Sequence, residues 1–322
     1  MRALVTGGTG FVGRHLVDTL LRRGDAVTVL VRTAAKARGL PERGVTIASG
    51  SLDNASALRG ASANQDVIYH LAGLVAARNE AEFLAVNREG TRRVLAAAEE
   101  TGSPRIVYVS SLAAAGPAAR GSLHRGGEPA VPLTAYGRSK LAGEEIVRAS
   151  ALSWTIVRPP AVYGPYDTEM LTVFRAARFG VVPVFGDGSQ ELSLVYGPDL
   201  AEALAAAGAS DATAGESYYA SHPEIVTSRQ LVRAVATAMG RSARVVPLPR
   251  WLADGAMTIT AAAARIAGKA TILTRDKARE FYAEAWTCDP ARLEVATGWR
   301  AAHDLSVGTR ATAAWYRSAG WL

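Results

Sequence analysis

A chain of 322 residues that is 49% apolar and 20% charged has the make-up of a folded protein of one large domain or two intimate ones, which excludes an intrinsically disordered chain. Its formal net charge of +7 comes from Lys and Arg residues spread along the sequence rather than gathered in a basic block, which argues against a nucleic-acid partner. No uninterrupted apolar run approaches the ~18 residues that a bilayer span needs.

Through the first half, short β-rich runs alternate with helical patterns. Strands are predicted at residues 2–5, 27–31, 45–48, 67–70, 106–109 and 154–157, and helices at 11–23, 80–101 and 134–149. Such alternation means an α/β fold of the Rossmann type, a doubly wound parallel sheet with ligands at the carboxyl ends of its strands. After Pro165 the pattern loosens into a Gly- and Pro-containing stretch at 179–188 and helices near 198–207, 228–239 and 305–316. No linker or internal repeat marks a boundary, and the Ala-rich stretches read as helix surface.

Between the first strand and the first helix lies Thr6-Gly7-Gly8-Thr9-Gly10-Phe11-Val12-Gly13. Gly7 suits a tight strand-to-helix turn, Gly10 lets the backbone approach a pyrophosphate, and Gly13 lets the helix pack close to the strand. An NAD site usually carries an acid at the end of the second strand for the ribose 2′-hydroxyl, whereas this chain reads Val31-Arg32-Thr33. Arg32 suits a 2′-phosphate, with Lys36 and Arg38 adding positive field, so NADP(H) is favoured. NAD is the alternative, with Arg32 stacked on adenine or facing solvent.

A second cluster is Tyr136-Gly137-Arg138-Ser139-Lys140, with Ser110-Ser111 closing the strand that begins at Ile106. On a helix, Tyr136 and Lys140 lie one turn apart on one face. A cation beside a phenol favours the phenolate, so Tyr136 is expected to exchange protons nearer neutrality than its ordinary pKa of about 10.

Together these residues resemble the extended short-chain dehydrogenase/reductase superfamily, also called the NAD-dependent epimerase/dehydratase family. The resemblance extends to Gly50-Ser51-Leu52-Asp53, His70-Leu71-Ala72-Gly73, Asn87-Arg88-Glu89-Gly90-Thr91 and Arg158-Pro159-Pro160-Ala161-Val162-Tyr163-Gly164-Pro165. It implies a dinucleotide-binding domain at 1–165 and 194–220, interleaved with a smaller, mainly C-terminal substrate domain at 166–193 and 221–322. It implies that Tyr136 exchanges the proton of a substrate hydroxyl, that Ser111 (or Ser110, one register away) binds the reacting oxygen, and that Lys140 holds the nicotinamide ribose. Gly7, Thr9, Gly10, Phe11, Val12, Gly13, Leu52, Leu71, Ala72 and Gly73 are then expected along the cofactor, with Pro159 and Val162 at the nicotinamide. Asp53 is placed near the adenine amino group or closes a turn. Asn87 shapes the site or is structural, and His70 is read as a packing residue rather than a base.

Departures from the family pattern bear on substrate. Its dehydratases follow the Ser/Thr with an Asp-Glu pair and its decarboxylases with a Glu, while this chain reads Ser111-Leu112-Ala113-Ala114, so elimination is disfavoured. Many of its nucleotide-sugar enzymes place an arginine before the acid that corresponds to Asp199, but residues 190–196 hold none; Arg241, Arg244 or Arg250 would have to substitute. The apolar stretches 181–185 and 251–259 are compatible with an apolar wall. The preferred reading is a reductase or dehydrogenase of a ketone, aldehyde or secondary alcohol, resembling the hydroxysteroid and dihydroflavonol branch. A nucleotide-sugar epimerase and a catalytically silent dinucleotide sensor are the alternatives. The helix pattern at 251–267 reads as a substrate cover or core packing rather than membrane contact.

Cys288, the single cysteine, cannot close an intrachain disulfide, and no helix start or His adjoins it to make a catalytic thiol. The chain begins directly on its first strand, leaving no room for a cleavable leader, so a cytoplasmic protein is expected. No metal site is expected, and the family habit is a homodimer through the helices near 80–101 and 134–150.

Overall fold

The structure, a computed structural model, describes residues 1–242, 244–249, 251–252, 254–255, 257–260 and 275–322. Its strands in chain order are β1 (Arg2–Thr6), β2 (Ala26–Val31), β3 (Thr46–Ser49), β4 (Val67–His70), β5 (Arg105–Val109), β6 (Trp154–Arg158) and β7 (Ala161–Tyr163). They continue as β8 (Val181–Phe185), β9 (Glu191–Tyr196), β10 (Glu216–Tyr219), β11 (Ile225–Thr227), β12 (Arg244–Leu248) and β13 (Ala285–Trp286). The helices α1 (Phe11–Arg22), α2 (Ala55–Ser62), α3 (Glu80–Asn87), α4 (Glu89–Glu100), α5 (Leu112–Ala115), α6 (Ala135–Arg148), α7 (Glu169–Ala177), α8 (Gly197–Ala209) and α9 (Ser228–Ala238) fall between them.

Seven strands form one parallel sheet in the order β10-β6-β5-β4-β1-β2-β3. Its strands are apolar on both faces because helices cover both. On one side Leu16 and Leu20 of α1 meet Leu200 and Leu204 of α8 over Val29 and Tyr69; on the other, Leu58, Val94 and Val147 from α2, α4 and α6 bury Ile106 and Tyr108. The winding direction reverses between β1 and β4, which opens a crevice at their carboxyl ends.

A smaller sheet runs β11-β9-β13 with β7 beside β9, and β8 pairs with β12 in a parallel ribbon. Phe174, Val182, Val184, Val235 and Tyr316 form a separate core beneath that ribbon. Residues 194–196 still belong to β9 in the small sheet, so the chain re-enters the large layer at Gly197, with α8 and then β10.

The helix expected over 80–101 is two helices, broken at Arg88 (φ −97°, ψ −61°). The break accompanies an inward-turned Asn87, whose amide is bonded to Leu74 and Ser139. Those are tertiary contacts, outside the reach of a local periodicity.

Candidate active site

At the end of β1, Gly7 has φ +77°, and a Cβ there would lie 2.8 Å from the Ala72 nitrogen. Only glycine combines that left-handed turn with so close an approach to the segment that follows β4. Gly10 N donates to Gly7 O at 3.0 Å, and at Gly13 a Cβ would lie 2.1 Å from Gly7 O. Gly10 caps α1 without a side-chain hydrogen bond, and the first turn holds no acid. The first-turn N–H groups therefore have neither a capping side chain nor a carboxylate beside them, which suits a diphosphate. Phe11 and Val12 open the helix half-buried.

Beside this turn lies a cleft of about 180 Å³ lined by Gly8, Thr9, Arg14, Lys36, Arg38 and Arg43 among others. Arg43 pairs with Asp18, and the other three cations give the cleft a positive field. Arg32, exposed at the end of β2, is not among the lining residues and makes no ion pair among the described residues. The Asp53 carboxylate pairs with Arg93 at 2.7 Å and is largely exposed. Leu52 packs beside the core under α2 and α4, so close to Gly90 that a Cβ there would lie 2.8 Å from it.

Leu71, Ala72 and Gly73 follow β4, and Asn87 clamps the segment after them: its Oδ1 accepts from Leu74 N at 2.7 Å while its Nδ2 donates to Leu74 O and to Ser139 Oγ. The Thr91 hydroxyl donates to Asn87 O, so it accepts from His70 Nε2, leaving His70 Nδ1 to accept from Thr6. Burial, with the Lys140 charge adding, pushes His70 down to about 3. His70 is thus a neutral strand-end residue with both ring nitrogens engaged.

The catalytic candidates come from α6 and from the end of β5. Ser111 caps α5, accepting from Ala113 N at 3.1 Å, and its hydroxyl lies near enough to the Tyr136 phenol to favour the phenolate. Ser110 instead donates to Glu144, so the two serines have separate partners. Pro159 O accepts from Leu112 N at 2.8 Å, tying the serine loop to the end of β6, while Val162 lies half-buried against the core.

The expected lowering of Tyr136 is reversed. Burial pushes its phenol up to about 12, the Ser111 hydroxyl opposes this, and the Glu280 carboxylate adds to it. Lys140 does not offset the rise because its ammonium is used elsewhere: it donates to Val109 O at 2.7 Å and stands 4.5 Å from the Tyr108 ring centre. Burial brings Lys140 down to about 8, with Glu144 pulling the other way.

Two buried carboxylates were not foreseen. Glu144 is fully buried and takes a bidentate pair from Arg158, a second cation in Arg148, and the Ser110 hydroxyl. These bonds hold its carboxyl below the usual range in spite of burial. Glu280, in the helix Arg275–Tyr282, accepts from Thr134, the residue that caps α6. The four-residue spacing of Tyr136, Lys140 and Glu144 was the available signal for the first; nothing local marks the second.

The expected apolar wall divides. Val182 and Val184 are buried, but Val181, Trp251, Leu252 and Ile259 are exposed. The part of that stretch beyond residue 260, with Ile266, lies outside the described residues, as does Arg250. Arg241 and Arg244 are exposed near or on β12.

A Rossmann sheet with a glycine turn at its switch point, and with a phenol and an ammonium on α6 near a hydroxyl at the end of β5, defines an enzyme that uses a nicotinamide dinucleotide. The chain belongs to the NAD dependent epimerase/dehydratase family, whose pattern matches residues 3–220. It is 34% identical over 319 residues to the ceramide reductase of Caulobacter vibrioides, covering 99% of this chain and 95% of that one. It is 32% identical over 262 residues to the 4-hydroxy-2-methyl-3-oxo-4-farnesyl-3,4-dihydroquinoline-1-oxide ketoreductase of Stigmatella aurantiaca, covering 77% and 76%. The UDP-glucose 4-epimerase of Thermus thermophilus, solved in complex with NAD, superposes with a TM-score of 0.79 at 26% identity, over 99% of this chain and 100% of that one.

Proposed function

We propose that this protein is an NADP(H)-preferring reductase or dehydrogenase that interconverts a carbonyl and a secondary alcohol on an apolar substrate. The observation that carries the reading is the placement of the Ser111 hydroxyl near the Tyr136 phenol, with Lys140 one helical turn further along α6. A bound dinucleotide supplies or takes up the hydride at its nicotinamide ring. Tyr136, protonated at neutral pH, donates its proton to the substrate oxygen in the reductive direction. Ser111 holds that oxygen, and Lys140 binds the nicotinamide ribose and keeps a positive charge near the site.

Leu112 and Ala114, both buried, occupy the stretch after Ser111, where the dehydratases of the family carry a second acid-base pair. The cations Arg32, Lys36 and Arg38 support the preference for a 2′-phosphate. The likeness to a ceramide reductase makes a keto lipid of the ceramide type the first substrate to try. We further propose a cytoplasmic homodimer, with substrate recognition assigned to residues 166–193 and 221–322.

The test follows NADPH absorbance with product analysis, against apolar ketones and aldehydes in one set and nucleotide sugars in the other. Net consumption with an apolar carbonyl is expected. An isomerised nucleotide sugar without net consumption would move the protein to the epimerases, the reading favoured by the Thermus structure.

A further inference from the structure

The Lys and Arg residues are dispersed, but their excess over acids is not. Residues 225–275 contain Arg229, Arg233, Arg241, Arg244, Arg250, Arg265, Lys269 and Arg275 against one acid, Asp254, an excess equal to the formal +7 of the whole chain. The acids that balance the cations elsewhere are missing from this stretch, and residues 170–186, which include its partner strand, also hold none.

The same region bears much of the exposed apolar surface. In the β8–β12 ribbon Val181 faces Arg244 and Pro183 faces Val246. Alternation turns Val182 and Val184 into the core and leaves Val181, Pro183, Arg244 and Val246 outward, with Phe179 at the same parity and 85% exposed. The described residues from 251 to 260 are helical. There Trp251 (75% exposed), Leu252, Gly255 and Ile259 (72% exposed) share one stripe, while Met257 points into the protein. An apolar stripe facing solvent inverts the usual amphipathic arrangement.

We infer that the outward side of the ribbon, together with the helical stretch that follows it, docks on an anionic phospholipid membrane. Phe179, Trp251 and Ile259 enter the boundary between headgroups and acyl chains, and Arg178, Arg241 and Arg244, all exposed, reach the lipid phosphates. A second copy of the chain would set arginines against arginines, which like-charge repulsion opposes. Exposed Phe, Trp and Ile suit acyl chains better than the polar interfaces of nucleic acids. The contact proposed is a peripheral one; no helix among the described residues is long and apolar enough to cross a membrane.

The experiment is co-sedimentation of the full-length protein with vesicles of phosphatidylcholine alone or with added phosphatidylglycerol, across a salt series. Binding about tenfold stronger to the anionic vesicles, weakening with salt, is expected. Phe179→Ser with Trp251→Ser is expected to lower binding about tenfold with the melting temperature unchanged. Should that pair unfold, Arg241→Glu with Arg244→Glu provides the second test and is expected to abolish the preference for phosphatidylglycerol. Equal binding to both vesicle types, no binding, undiminished binding by the folded variants, or a dimer that the Phe179 and Trp251 changes dissolve would overturn the inference. NADPH oxidation with a water-soluble ketone, measured on the same samples without vesicles, reports separately on the reductase reading.

Discussion

Thr134 donates to Glu280 Oε1 at 2.8 Å while accepting from Gly137 N at 3.2 Å. One hydroxyl therefore caps the helix that carries Tyr136 and Lys140 and ties it to the helix Arg275–Tyr282. Glu280 in turn pairs with Lys277, and its backbone carbonyl accepts from Gln190 and Trp286. The C-terminal part of the chain is thus fastened to the start of α6.

Thr134→Val removes the cap and the tie together. We expect a loss of about 1–2 kcal/mol in stability and a fall in kcat of about tenfold as α6 loses its anchorage. Urea unfolding and steady-state kinetics check this; a variant as stable and as fast as the parent would show the tie to be inert.

The proposed mechanism gives the two serines different parts, chemistry for Ser111 and support for Ser110. Ser111→Ala is expected to cut kcat by about tenfold to a hundredfold, and Tyr136→Phe by about a hundredfold or more, with cofactor affinity retained. Ser110→Ala leaves Glu144 one hydrogen bond short, costs about 1–3 kcal/mol of stability and spares kcat. Full activity in Tyr136→Phe would end the proposed mechanism and favour a silent dinucleotide-binding protein.

Cofactor choice is read by paired measurements with NADPH and NADH. Arg32→Ala and Lys36→Ala are each expected to weaken NADPH binding about tenfold and to leave NADH unchanged, since a charge-assisted bond to the 2′-phosphate is lost. Comparable affinity for the two cofactors, indifferent to both changes, would remove the case for NADP.

Lys140 provides a pH signature. Its folded pKa of about 8 lies below the ordinary ~10.4, so between these values the unfolded chain keeps a proton that the native protein has released. The unfolded state then binds more protons, and this group makes stability rise with pH across that window. The buried Cys288 thiol, pushed up to about 12, has the opposite slope. The comparison with Lys140→Met isolates the lysine: stability measured from about pH 8 to 10 should rise more, or fall less, in the parent than in the variant. Identical slopes would mean that Lys140 titrates as an exposed lysine.

Much of this protein is legible along the chain because its determinants are local. The glycine turn is written by spacing, since Gly7 and Gly13 sit where a Cβ would strike Ala72 and Gly7 itself. The six strands of the first half follow from apolar runs that helices bury on both faces, and the one-turn spacing of Tyr136 and Lys140 follows from helix geometry.

Contacts between distant segments are another matter. Whether Lys140 lowers Tyr136 depends on where its ammonium goes, and Val109 and Tyr108 from β5 claim it. Whether Ser110 can serve the phenol depends on Glu144, which takes its hydroxyl. Glu280 reaches Thr134 across 146 residues of chain. Burial and partner choice are set by segments brought together only on folding, and they decide a side chain's charge and bonding, which residue type and spacing leave open.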